Sequence, residues 1–182
     1  MHDVFARVGG PDLTEVRAST MIQINSGNVI IDDTWLWRAD HDVSGKVMDK
    51  KNPVDTGLQV NGDNVIGYGL AVEHTLGNLL EWNGDNGKTY FYQSELPHDV
   101  DHTYQDSGFT SYKVGDDVIN HEAWGVGVYS FFRDYTVNMD SGIKAPQQPS
   151  VKFHNSLSVF LTGNGGINHV VNDQGDAVKA GE

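Results

Sequence analysis

The chain contains no cysteine among its 182 residues, which excludes disulfide bonds and thiolate metal ligands. Basic residues are also scarce, because 12 lysines and arginines face 25 acidic residues and leave a formal net charge of −13. Nucleic acids and anionic membrane surfaces repel such a charge, so neither is an expected partner. A neutral polymer, such as a polysaccharide or an oligosaccharide, is compatible with it.

Long apolar runs are absent as well. No stretch approaches the roughly 18 consecutive apolar residues of a transmembrane helix, and the N-terminal sequence lacks the apolar segment of a signal peptide. What the chain does have is 21 glycines and many Asn and Asp residues between short apolar runs, with 10% aromatic residues. This pattern favours a β-rich fold with many turns.

One four-residue sequence is repeated without change. Asn-Gly-Asp-Asn occurs at 61–64 and again at 83–86, an offset of 22 residues. A repeat of this length is typical of a solenoid. Asn and Gly tolerate the left-handed backbone of a sharp corner, and stacked Asn side chains can hydrogen-bond along a ladder. We therefore predict an all-β parallel β-helix of about five coils. An antiparallel meander is the alternative, because Asn-Gly is also a hairpin signal.

The predicted coils are interrupted by long polar insertions. These insertions span about 41–54, 97–117 and 138–150. Long loops on a rigid solenoid are where binding sites are commonly built. We expect residues 1–175 to form a single β-helix domain and residues 176–182 to be a disordered tail.

Two glutamates share the offset of the repeat. Glu73 and Glu95 each lie twelve residues after the first Asn of their corner. Since adjacent strands of a sheet lie about 4.8 Å apart, the two carboxyl groups should be neighbours and titrate as a coupled pair, with one pKa raised. A protonated carboxyl group is what glycosidic cleavage needs as a general acid. A stacked surface pair without a catalytic role is the alternative.

The residues around these glutamates resemble those of glycoside hydrolase family 55. Ala-Val-Glu-His at 71–74 and Gln-Ser-Glu-Leu-Pro at 93–97 are similar to that family's Ser-Glu-His and Gln-Thr-Glu-Thr-Pro motifs. Trp-Leu-Trp-Arg-Ala-Asp-His at 35–41 and Gly-Val-Tyr-Ser-Phe-Phe at 127–132 are similar to two further motifs. The resemblance covers roughly residues 4–175. It implies a right-handed, pectate-lyase-like β-helix and an inverting β-1,3-glucanase activity.

The resemblance also implies roles for individual residues. Glu95 matches the family's general acid, and Glu73 matches a second acidic residue. Inverting enzymes ordinarily hold two carboxyl groups about 6.5–9.5 Å apart, so Glu73 on a neighbouring coil is too close to be a conventional base and would instead tune Glu95. The residues expected to bind substrate are Gln93, Trp37, His74, Trp82, Tyr92, Trp124, Tyr129 and Ser130.

The chain departs from the family pattern in one respect. Members carry two β-helix domains with the active site between them, and this chain matches only the C-terminal part. Its first coil would expose an unpaired edge, which invites pairing with another chain. We expect either a missing N-terminal β-helix domain or a homo-oligomer. A non-catalytic carbohydrate-binding protein and a structural assembly module remain alternative functions.

Neither a cofactor nor a metal site is predicted. Asp40, His41 and Asp42 together, or His121 with Glu122, could bind a metal, but a hydrogen-bonded surface histidine is the simpler interpretation. The Asp-rich corners could hold calcium, although the EF-hand pattern is absent. The resemblance implies an extracellular location.

Overall fold

The computed structural model describes residues 1–11 and 14–181, and nearly all of its regular structure is β-strand. The short helix α1 spans His102–Asp106. The strands in chain order are β1 His2–Val8, β2 Ala18–Ile24, β3 Ile30–Arg38, β4 His41–Asp42, β5 Gly45–Lys46, β6 Val54–Val60, β7 Ile66–Glu73, β8 Leu80–Trp82, β9 Gly87–Glu95, β10 Tyr112–Val114, β11 His121–Lys144, β12 Val151–His154, β13 Leu157–Val171 and β14 Val178–Lys179.

The strands stack in parallel into two walls. One wall has the order β1-β3-β7-β9-β11 and continues onto β12 and β13, and the other has the order β2-β6-β8-β10-β11. The long strand β11 bends through both walls, pairing with β9 in its first half and β10 in its second. This arrangement confirms the predicted parallel β-helix over an antiparallel meander. In the described part of the chain the first wall has six rungs, compared with about five expected coils.

The repeated Asn-Gly-Asp-Asn forms a stacked corner. Asn28, Asn64 and Asn86 occupy its left-handed position with φ of 58°, 56° and 54°, which Asn tolerates better than most residues. Next to them an amide ladder runs along the helix: Asn61 donates to Asn25 at 2.8 Å, and Asn83 donates to Asn61 at 2.9 Å. The side-chain ladder predicted from the repeat is therefore confirmed.

A second left-handed bend lies within the strands of the first wall. Asp33, Gly69, Phe91 and Gly125 occupy equivalent positions on β3, β7, β9 and β11, with φ of 56°, 59°, 67° and 66°. Phe91 is the bulky exception, because a Cβ makes this conformation costly. Its side chain is 65% exposed, so core packing does not explain why it is there.

The core fills the space between the walls with inward-facing apolar residues. Leu36, Val72 and Val128 lie in one inward-facing column of the first wall, on β3, β7 and β11, and are fully buried. The buried column also carries Ser94, whose Oγ donates to the carbonyl of Gly127 at 3.1 Å and accepts from Ser111. A polar residue on this face is tolerated because its hydroxyl group is hydrogen-bonded.

The insertions differ in part from expectation. The first contains the hairpin β4–β5, and the second contains α1 and β10. The third was expected to begin at 138, but β11 continues regularly to Lys144. The tail expected to be disordered instead contains β14, which pairs antiparallel with β13, while Glu182 lies outside the described residues. Among the described residues, no helix has the length and apolarity needed to cross a membrane.

Candidate active site

Glu73 and Glu95 are direct neighbours on adjacent strands. They are register partners where β7 and β9 end, which confirms the stacking predicted from the 22-residue offset. The same column continues to Trp37 on β3 and to Tyr129 on β11. Both carboxyl groups lie on the outer face of the first wall and are partly exposed. Two acidic groups thus meet at an accessible edge of an otherwise rigid sheet.

Glu73 is held by neutral donors. Its Oε2 accepts a hydrogen bond of 2.8 Å from the indole Nε1 of Trp35, and Gln93 contacts the same carboxyl group. Burial raises the pKa of Glu73 above its ordinary value, and the charges of Glu95 and Asp40 raise it further, whereas the hydrogen bonds oppose the change. Glu73 is therefore the member of the pair that retains a proton more readily.

Glu95 faces two histidines instead. Its Oε2 lies 3.4 Å from Nε2 of His98 and 3.8 Å from Nε2 of His74. Contact with His98 lowers the pKa of Glu95, burial opposes this, and the positive charge that either histidine can carry lowers it again. The sequence predicted one raised pKa in the pair. In the structure the pKa of Glu73 is raised and the pKa of Glu95 is lowered.

Asp40 joins the two histidines from the other side. Its carboxylate lies 3.2 Å from Nδ1 of His98 and 3.5 Å from Nε2 of His74. Burial alone would raise the pKa of Asp40, but contacts with the histidines hold it well below the usual range. Burial also lowers the pKa of His74 to about 4, whereas Asp40 and Glu95 outweigh burial at His98 and raise its pKa.

A buried ion pair fixes the loop that carries His98. Arg38, at the end of β3, is fully buried and donates to both carboxylate oxygens of Asp99 at 2.9 Å. The same guanidinium donates to the carbonyls of Lys51, Asn52 and His74. Burial tends to raise the pKa of Asp99, but the Arg38 contacts lower it below its ordinary value. Arg38 therefore ties three segments around the site to one position.

Aromatic rings line the wall beside Glu73. Trp35 stacks on Trp37 with ring centroids 5.5 Å apart, and Phe5 packs against Trp35 at 4.9 Å. Trp35 remains 44% exposed, so an apolar surface is available next to the carboxyl pair. The guanidinium of Arg7 lies 5.0 Å from the ring centre of Trp37 and covers part of it.

Several residues expected to bind substrate lie elsewhere. Trp82, Tyr92 and Ser130 are buried in the core, because side chains alternate between the faces of a strand and these three point inward. They are not available to a ligand in this structure. Trp124 lies on the outer face but stacks between Tyr90 and His154, so its ring faces are already covered. Of the expected set, Gln93, Trp37, His74 and Tyr129 adjoin the carboxyl pair.

Three residues at the site were not in the predicted set. Asp40 and Trp35 lie in the stretch 35–41 that carries the family resemblance, and that motif is the sequence signal that points to them. His98 lies in the second insertion, directly after Pro97. Only its position three residues beyond Glu95 connects it with the site, and periodicity does not extend into a loop.

Residues 1–95 match the family model of the LAM55 pectate lyase-like domain. The chain belongs to this family. A LAM55 relative, the exo-beta-1,3-glucanase of Streptomyces sp. (strain SirexAA-E / ActE), is 43% identical across 97% of this chain, which spans only 29% of that protein.

Two solved structures agree with this assignment. The structure of sacteLam55A from Streptomyces sp. SirexAA-E matches 97% of this chain with a TM-score of 0.89 and 43% identity. A variant of sacteLam55A in complex with glucose matches 96% of the chain with a TM-score of 0.88 and 42% identity. In both cases the match covers 32% of the solved chain, so the LAM55 chain described here spans about a third of these relatives.

Proposed function

We propose that this chain provides the general-acid side of a glycoside hydrolase that acts on β-1,3-glucan. The observation that carries the proposal is the register pairing of Glu73 with Glu95 beside an exposed aromatic wall. The similarity to an exo-beta-1,3-glucanase supports this class of substrate. Sugar rings present apolar C–H faces, which the indole of Trp35 can cover.

Glu95 is the better candidate for the acid. A general acid must regain its proton after each turnover, and titratable neighbours can return it, even though the same neighbours lower the pKa of Glu95. Glu95 adjoins His98 and His74, which can do so. Glu73 instead accepts a hydrogen bond from the Trp35 indole, which neither releases nor takes up a proton near neutral pH. The raised pKa of Glu73 makes it less common for both carboxyl groups to be charged at the same time.

Cleavage then proceeds in one displacement. Glu95 protonates the glycosidic oxygen as its bond to the anomeric carbon breaks, and a water attacks that carbon from the opposite face and releases its proton to the solvent. Adjacent strands place Glu73 only about 4.8 Å from Glu95 in the backbone, which is short of the roughly 6.5–9.5 Å separation that leaves room for the water. Glu73 therefore orients sugar hydroxyls and tunes Glu95, and does not activate the water.

Hydrolysis of laminarin tests the proposal. We expect Glu95→Gln to lower reducing-sugar release by at least about 100-fold while laminarin binding is retained. An aryl β-glucoside with a good leaving group needs no proton from the enzyme, so the same variant should hydrolyse it nearly normally. Glu122→Gln is the matched control, because Glu122 is a partly exposed carboxylate that pairs with His154 on the same wall.

Three outcomes would count against the proposal. Equal release by wild type and Glu95→Gln would remove Glu95 from the chemistry. An equal loss on the activated glucoside would show a structural defect and not a missing acid. Binding of laminarin without release by the wild type would favour a carbohydrate-binding role.

The same proposal includes an extracellular location. β-1,3-glucan is a polymer too large to cross a membrane, so a hydrolase that acts on it is expected outside the cell. Recovery of the native protein from culture supernatant, and its absence from washed cells, is the corresponding measurement.

A further inference from the structure

Three side chains from successive parts of the β-helix converge behind Glu95. Asp40 follows β3, His74 follows β7, and His98 lies in the loop after β9. One potential ligand atom from each lies within 4.8 Å of those of the other two. His74 and His98 are buried, and their rings meet edge to face with centroids 4.2 Å apart. Two imidazoles and a carboxylate therefore converge at one place in the fold.

The spacing within this cluster is long for hydrogen bonds. With one donor atom from each residue, Nε2 of His74 lies 3.5 Å from Oδ1 of Asp40 and 3.8 Å from Oε2 of Glu95, and Nε2 of His98 lies 3.4 Å from the same Oε2. Nδ1 of His98, on the other side of the ring, lies 3.2 Å from Oδ2 of Asp40. Protein hydrogen bonds to nitrogen are commonly about 2.9–3.0 Å. Four ligands placed tetrahedrally at about 2.0–2.1 Å from a zinc ion stand roughly 3.3 Å apart. The separations of 3.4 Å, 3.5 Å and 3.8 Å are near this spacing.

The ring orientations point the same way. Nδ1 of His74 lies 3.2 Å from the carbonyl of Leu96, which accepts its proton and leaves the lone pair of Nε2 aimed at Asp40 and Glu95. Nε2 of His98 is buried and has no hydrogen-bond partner among the described residues. A backbone carbonyl that fixes the imidazole tautomer is the usual outer partner of a metal-bound histidine.

Asp40 is oriented in the same manner. Its Oδ1 lies 3.3 Å from the Trp37 indole nitrogen, which donates to it, and 2.8 Å from Nδ1 of His41. These contacts come from outside the cluster and hold the carboxylate toward the two buried histidines. Orientation of a ligating carboxylate by such hydrogen bonds is a recurrent feature of metal sites.

We propose that Asp40, His74 and His98 bind a divalent transition-metal ion of the zinc class, with Glu95 as the fourth ligand. Two imidazoles with carboxylates suit zinc, whereas calcium requires six to eight oxygen ligands. Coordination takes Oε2 of Glu95 out of use, so the ion inhibits any reaction that uses Glu95 as an acid. This inhibitory consequence rests on the proposed function, but the binding itself does not.

Titration calorimetry with zinc chloride tests the site, and the absorption spectrum of Co²⁺ reports its geometry. We expect one equivalent to bind and the cobalt spectrum to be that of a four-coordinate site. His98→Gln and Asp40→Asn should each weaken binding at least 10-fold. His154→Gln is the control, because His154 also pairs with a glutamate on this wall but lies outside the cluster. Far-UV circular dichroism establishes that each variant is folded.

Shifts of the His74 and His98 ring signals on zinc addition provide a readout in the wild type, without any variant. The proposal is overturned if the wild type shows no saturable binding, if neither variant weakens it, or if His154→Gln weakens it equally. Zinc binding without laminarin hydrolysis would sustain the site and reject the proposed function. Laminarin hydrolysis that zinc does not inhibit, together with saturable zinc binding outside the cluster, would support the proposed function and reject the zinc site.

Discussion

The indole Nε1 of Trp35 donates a 2.8 Å hydrogen bond to Oε2 of Glu73, which lies on the neighbouring strand. This bond stabilises the carboxylate form and works against burial and the negative charge of Glu95. The pKa of Glu73 is thus set by opposing contacts that single substitutions can remove one at a time.

We expect two substitutions to move the pKa of Glu73 in opposite directions. Trp35→Phe removes the donated hydrogen bond and should raise it, whereas Glu95→Gln removes a like charge and should lower it. Carboxyl ¹³C chemical shifts followed over pH provide the measurement. Trp124→Phe, on the same wall but away from Glu73, should leave the titration unchanged. A shift of the same sign in both variants would contradict the assigned causes.

Asp99→Asn should cost about 3–5 kcal/mol of the free energy of unfolding, because it leaves the buried charge of Arg38 without its partner. Urea unfolding at neutral pH measures this loss. Glu15→Gln provides the contrast, since Glu15 contacts Arg17 at an exposed position, where ion pairs contribute roughly 0–1 kcal/mol. Similar losses in both variants would show that Arg38 does not hold the loop in the manner described.

Asn61→Ala should destabilise the helix by about 1 kcal/mol, because it removes both hydrogen bonds of the amide ladder. Asn25, at the end of the ladder, makes only one of those bonds. Asn25→Ala should therefore cost about half as much. Chemical denaturation of the two variants in parallel checks the ratio, and an equal cost at both positions would contradict a ladder contribution.

Phe91→Asn should raise the free energy of unfolding by about 1 kcal/mol, since Asn tolerates φ of 67° and the exposed phenyl ring buries little surface. Leu161→Asn is the control, because Leu161 is also about half exposed but has no left-handed backbone. Thermal unfolding compares them. A loss of stability in Phe91→Asn would mean that the contacts of the phenyl ring stabilise the fold by more than its left-handed backbone destabilises it.

His121 makes stability depend on acid. Burial lowers its pKa to about 3, from an unfolded value of about 6.5, and Oη of Tyr112 lies 2.8 Å from its Nε2. Above pH 6.5 His121 is neutral in both the folded and the unfolded state, so its titration does not change the free energy of unfolding. Below it the unfolded state binds a proton that the native state does not, so stability falls by up to about 1.4 kcal/mol per pH unit until the pH approaches 3.

His121→Gln should remove that contribution. The stability of the variant should fall less steeply than that of the wild type between about pH 6.5 and pH 4, as measured by urea unfolding at fixed ionic strength. Carboxyl groups elsewhere affect both proteins equally. Parallel curves would show that His121 becomes protonated within the folded protein.

The fold was predictable because the offset between the repeated segments equals the length of one coil. An unchanged 22-residue offset pairs Asn61 with Asn83 and Glu73 with Glu95, and the structure has both. The face that each side chain occupies was harder to predict. Tyr92 and Gln93 are adjacent in sequence, yet one is in the core and the other beside Glu73, and without the strand parity both were expected to meet substrate.

The histidine cluster could not be predicted by periodicity. His98 reaches Asp40 only because the loop after β9 folds back and Arg38 anchors Asp99 beside it. The loop's path depends on a buried ion pair that joins residues 61 positions apart. Such a distant pairing carries no local sequence signal.

Because Asp40, Glu73 and Glu95 belong to three successive coils, the site exists only when all three have stacked. Solenoids are stabilised by contacts between neighbouring repeats, and their folding can spread from one coil to the next. Quenching of Trp35 by its contact with Glu73 would mark the docking of β3 on β7, and the pairing of the histidines would mark the next step. Signals from the site residues would therefore report the order in which the coils assemble.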